Sequence, residues 1–178
     1  MACNSLNIGR ALPCTSSVGG IKAIYATPFG NLGLLTIVSG EITGIGNDGA
    51  VDLYKYDLEG SNGLEQAVTA STENGSVYYE QTLTMTLKKL DLASQQELID
   101  LIKSRIQVFV EDQNGNFFLM GATNGVVSSG GSITTGQAYG DLSGFSGLTF
   151  TAQETLPAFF VAPAVVTGNV DSSQIQPA

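Results

Sequence analysis

Residues 76–98, SVYYEQTLTMTLKKLDLASQQEL, hold a long alternating run and then change period. Val77, Tyr79, Leu83, Met85 and Leu87 share one parity. Tyr78, Glu80, Thr82, Thr84, Thr86 and Lys88 share the other. Successive side chains of a strand point to opposite faces, so this spacing predicts a strand over 76–90. One of its faces is apolar and the other is coated with threonine, a residue that suits a half-buried pleated surface. Ser94 and Glu97 then read as a capping box. Leu98, Leu101 and Ile102 follow as one apolar stripe, with Lys103 and Arg105 near the end where the helix dipole favours cations. The spacing predicts a helix near 94–105, and a helix apolar on one side must dock on a sheet.

Strand signals continue on both sides of this stretch. IKAIYA (21–26) sets Ile21, Ala23 and Tyr25 opposite Lys22, Ile24 and Ala26. LLTIV (34–38) reads as a short strand, and VDLYKYDL (51–58) alternates with both faces mixed. QAVTAST (66–72) joins the long strand through Glu73-Asn74-Gly75, a hairpin signal because Asn-Gly accepts positive φ at little cost. RIQVFVED and FFLMG form a hairpin closed by Asn114-Gly115. Residues 122–144 are loop-like, with room for one strand. FSGLTFTAQET (145–155) alternates, and its parity breaks at Gly147, which predicts a bulge. LPAFFVAPAVV (156–166) is a further apolar patch. The fold expected is mainly β, a β-sandwich or barrel with one flanking α-helix. Residues 1–20 read as an N-terminal arm, 21–165 as the domain and 166–178 as a polar C-terminal tail.

The totals agree with a single domain. A chain of 178 residues buries roughly 70% of its unfolded surface without staples. Apolar residues at 43%, 22 glycines and only 13% charged residues suit a β-rich fold with many turns. Net charge is −9, from 7 basic and 16 acidic residues. Gripping duplex DNA requires Lys and Arg to displace counterions, so this balance disfavours nucleic-acid binding and anionic membrane surfaces. Two cysteines, Cys3 and Cys14, read as free thiols; their spacing does not decide whether they pair. No basic start leads into an apolar core, and no long apolar run is present, so neither a secretory signal nor a membrane span is expected.

Chemistry is hard to find. There is no histidine, which removes the commonest general base and metal ligand and every Ser-His or Cys-His nucleophile pair. Glu111 and Asp112 flank a hairpin turn and read as solvated. The glycine-rich stretches lack the Gly-Lys-Ser/Thr of a phosphate loop. DQNGN (112–116) has some calcium-loop character but no acid at its far end. Phe117, Phe118, Phe150 and Phe159 read as core. The expectation is a protein with no catalytic residues, cofactor or metal.

One asymmetry stands apart. Residues 41–80 hold Glu41, Asp48, Asp52, Asp57, Glu59, Glu65, Glu73 and Glu80 against one base, Lys55, which is −7 of the chain's −9. The plain reading is a solvated acidic face. The functional reading is a surface that must not retain a polyanion, because a negative wall repels phosphates.

The order of these elements, with VYYEQTLTMTLKKL before the helix and LTFTAQET late in the chain, resembles the tail tube proteins of tailed bacteriophages. The likeness covers roughly 20–161 and rests on strand character. The start, CNSLNIGRALPCTSSVGGIKAIY, also resembles virion proteins of crAss-like and related phages. The resemblance implies subunits that assemble into rings, with rings stacked into a tube whose β-barrel wall passes DNA without specific binding. It implies partners among copies of the same chain and other tail proteins, a virion location after assembly in the host cytoplasm, and no enzymatic role. In that setting Thr82, Thr84 and Thr86, with Asp48, Asp52, Asp57, Glu59 and Glu65, are candidate lumen-facing residues. A tail terminator, connector or baseplate ring is the alternative, and a carbohydrate-binding β-sandwich module is a more remote one.

Overall fold

A computed structural model describes residues 9–11, 17–71, 73, 75–140 and 142–174. Cys3, Cys14 and Asn74 lie outside them. The described strands are β1 (Ile21–Pro28), β2 (Leu35–Val38), β3 (Glu41–Ile45), β4 (Tyr54–Asp57), β5 (Gly63–Ser71) and β6 (Ser76–Lys88). After helix α1 (Leu92–Lys103) come β7 (Ile106–Asp112), β8 (Phe117–Met120), β9 (Val127–Thr134), β10 (Gly144–Glu154), β11 (Phe159–Val161) and helix α2 (Pro163–Thr167). They form a seven-stranded sheet in the order β2-β3-β11-β8-β7-β1-β4 and a four-stranded sheet in the order β5-β6-β10-β9. The fold is a β-sandwich, and neither sheet closes into a barrel.

Two apolar clusters fix the layers. The first fills the space between the sheets. Ile24, Val108, Val110 and Met120 of the large sheet meet Leu83, Met85, Phe145 and Phe150 of the small one, and α1 seals the edge with Leu98 and Leu101. The second lies on the far side of the large sheet, where Tyr25, Phe109 and Leu119 pack against Leu32, Val51, Leu53 and α2's Val165 and Val166. The large sheet is therefore covered on both faces. This is why IKAIYA shows no polar face: Ile24 and Ala26 serve one core while Ala23 and Tyr25 serve the other.

Several local expectations change. The helix begins at Leu92, with Asp91 as its N-cap. The Asp91 carboxylate accepts the Ser94 N–H at 3.1 Å, so the predicted Ser94 cap moves three residues back. Asp91 competes well for that role, because both residue types offer a short side-chain acceptor. Glu97 is free of capping and accepts the Tyr56 hydroxyl at 3.2 Å instead. The apolar patch at 156–166 resolves into β11 and a second helix, which is short, starts on Pro163, and buries Val165 and Val166. Proline's fixed φ is suited to a first helical position. The packed body also runs past residue 165: Val170 bridges Leu53 in parallel, and the buried Asn169 donates to Asp48 and to the Val165 carbonyl. The bulge in β10 falls where the parity broke, with Gly147 at φ 60° and the register shifting between Phe145 and Leu148.

Candidate functional site

The small sheet presents the surface that the long strand promised. β6 buries Gln81, Leu83 and Met85 inward and leaves Thr82, Thr84 and Thr86 half-buried on the outer side. Register extends this polar face sideways. Thr82 lies between Glu65 of β5 and Thr151 of β10, and Thr84 lies between Gly63 and Thr149. Glu80 lies between Ala67 and Gln153. From Tyr78 to Thr86 the face holds two carboxylates, Glu65 and Glu80, and no cation. Its first cation is Lys88 at the β6 end, bound to Glu59 at 2.9 Å. That ion pair holds the Glu59 carboxyl below its ordinary range.

Thr86 marks the lower end of the wall. Its N–H donates to the buried Asn62 Oδ1 at 2.8 Å, and its hydroxyl accepts the Gly147 N–H. Beside it opens a cleft of about 620 Å³ between β4, the end of β6 and α1. Tyr56, Leu87, Leu98 and Phe145 line its apolar part, with Asp57 and Glu59 at its rim. Burial and the neighbouring Glu97 push the Tyr56 hydroxyl well above its ordinary pKa, so it remains a donor. Asp57 is engaged by Lys55 at 2.8 Å.

The eight candidate residues therefore do not share one face. Glu65, Thr82, Thr84 and Thr86 lie on the wall, and Asp57 and Glu59 border the cleft at its end. Asp48 and Asp52 sit in the β3–β4 connection, which packs with α2 on the far side of the large sheet. Sequence reasoning placed Glu80 on the threonine face without naming it a candidate, and it missed Thr149, Thr151 and Gln153 as members of the wall. The alternation of FSGLTFTAQET carried the β10 signal, but only register shows which strand it flanks.

Of the two acids read as solvated at the hairpin, Glu111 is the one that changes. Glu111 is 6% exposed rather than solvated. It accepts the Lys22 ammonium at 2.6 Å and the Tyr25 hydroxyl at 2.7 Å, and burial and this contact raise the Tyr25 pKa far above ordinary. Asp112 closes the hairpin, accepting the N–H groups of Asn114 and Asn116 and the Asn116 side-chain amide, all at 2.8 Å. Both its oxygens are thus spent on the turn. Among the described residues no cluster of three or more metal-ligating side chains exists, and no helix is long and apolar enough to cross a membrane. Comparison with protein-family models, curated proteins and solved structures gives no match.

Proposed function

We propose that this chain is a structural subunit of a bacteriophage tail tube, assembling with copies of itself into rings that stack into a conduit for DNA. The observation that carries this reading is the outer face of the small sheet. Three long strands, β5, β6 and β10, present threonine, glutamine and two unpaired carboxylates over a continuous surface, on a sheet whose other face is a packed core. Such a face is wetted and weakly negative. It gives a passing polyanion no cations to bind and only isolated apolar area, at Tyr78 and Val127.

The edges support the same reading. Among the described residues β5 and β9 each have a neighbour on one side only. Free edges of this length are an aggregation hazard unless they are paired. In a head-to-tail ring the β5 edge of one copy meets the β9 edge of the next, and the sheet continues as the tube wall. Other tail proteins would meet the ends of the stack, and the virion is the location this implies.

Negative-stain electron microscopy of the purified chain at low and high concentration tests the proposal. Stacked rings with a central channel are expected. Single closed rings that never stack would move the reading to a terminator or connector. Monomers at every concentration, with binding to glycans, would replace it with a binding module.

A further inference from the structure

Among the described residues the large sheet also ends in strands with a neighbour on one side, β2 and β4, and the β4 edge adjoins the cleft. The Leu58 N–H donates to the Lys22 carbonyl at 3.0 Å, and in this antiparallel register the main-chain groups of the even positions of β4, Tyr54 and Tyr56, therefore face β1. The odd positions face outward. At Leu53, just before β4, that outward side is occupied: its N–H donates to the Asn169 carbonyl, and its carbonyl accepts the Asp171 N–H, both at 3.0 Å. The bridge between Leu53 and Val170 is parallel. The next outward positions are Lys55 and Asp57, and among the described residues no main-chain bond from outside the strand reaches either one.

The chain leaving Val170 is already at this edge, because Ser173 and Gln174 line the cleft together with all of β4. It is held off the strand by its own side chain: the Ser173 N–H donates to the Asp171 carboxylate at 2.8 Å. In a parallel ladder that same N–H belongs to the Lys55 carbonyl, while Lys55 and Asp57 donate to the carbonyls of Asp171 and Ser173.

We propose that the β4 edge and its cleft form a strand-accepting groove, and that its occupant is this chain's own segment from Asp171 to Gln174, zipped in parallel onto Lys55 and Asp57. The ligand class is an extended peptide. Its main chain is read by the two outward positions, and Ser173 and Gln174 lie along the cleft. The Asp171 carboxylate is the competitor that keeps the segment partly unzipped. The zipped state removes an exposed edge without a second copy, independently of whether the copies form rings.

Residue-resolved amide exchange on the full chain tests this, with the Tyr54 and Tyr56 amides as fold controls. The Lys55 and Asp57 amides are expected to be protected. Asp171→Ala frees the Ser173 N–H and is expected to raise their protection by about tenfold. Ser173→Pro removes the donor to Lys55 and is expected to lower the protection at Asp57 by at least that factor, with Tyr54 and Tyr56 unchanged. Unprotected Lys55 and Asp57 amides in all three proteins would overturn the proposal. So would protection that vanishes on dilution, since it would assign the edge to a second copy.

Discussion

At the scale of single residues, the buried acids and the turn acid are the sites where chemistry and stability meet. Asp112 has its carboxyl held below the ordinary 3.8 despite partial burial, because Asn116 and Asn114 donate to the charged form. A depressed carboxylate contributes stability above its unfolded pKa and loses it as pH falls through the folded one. Asp112→Ala is therefore expected to cost about 1–2 kcal/mol at neutral pH, discounted for its exposure. The gap to the parent should shrink once pH drops below about 4; urea melts across pH 2–7 read both effects. Glu111 behaves differently. Lys22 is largely exposed and regains water when its partner is lost, but the Tyr25 hydroxyl does not. Glu111→Ala is expected to destabilise by about 1–3 kcal/mol through that orphaned donor. The double variant with Tyr25→Phe should lose less than the two single effects added.

At the scale of elements, the helix start and the β10 bulge make opposite demands on small changes. Because Asp91, not Ser94, caps α1 with its side chain, Asp91→Ala is expected to cost about 1 kcal/mol. Ser94→Ala should cost a few tenths at most, and comparing their thermal midpoints decides the cap. In β10 two glycines have different reasons. Gly147 needs its positive φ, with open space where a Cβ would sit, so Gly147→Ala costs roughly 1 kcal/mol of backbone strain. A Cβ on Gly144 would come within 2.2 Å of the Leu87 carbonyl oxygen, and main chain cannot step aside without parting β10 from β6. Gly144→Ala is therefore expected to be the more damaging of the two by a wide margin in thermal melts.

At the scale of the whole molecule, the layers separate charge that the sequence groups together. Residues 41–80 read as one acidic segment, yet Asp48 and Asp52 lie across the large sheet from the threonine wall. If the wall lines a conduit, Glu65→Lys with Glu80→Lys is expected to spare ring formation and impair DNA passage. Asp52→Lys should leave passage unaffected. Infectivity of phage assembled with each variant checks this, and normal infectivity of the Glu65/Glu80 variant would remove the wall from the lumen. Asp48 is a poor probe, because its carboxylate holds Asn169 and its loss would loosen α2's attachment.

The sequence by itself determined the long strand, its two faces, the hairpin at Asn114-Gly115, the bulge at Gly147 and the apolar stripe of α1. Each of these is written in local periodicity or in a residue's φ preference, which act over a few positions. Only the tertiary structure decided the rest. Which strands neighbour β6, and so which residues complete the wall, depends on register across distant segments. That β1 and β7 are covered on both faces depends on a second core assembled partly by α2, whose five residues are too few to show a period. That Glu111 is buried, and that Val170 returns to pair with Leu53, depends on contacts between residues about a hundred positions apart, for which no local pattern of side chains carries a signal.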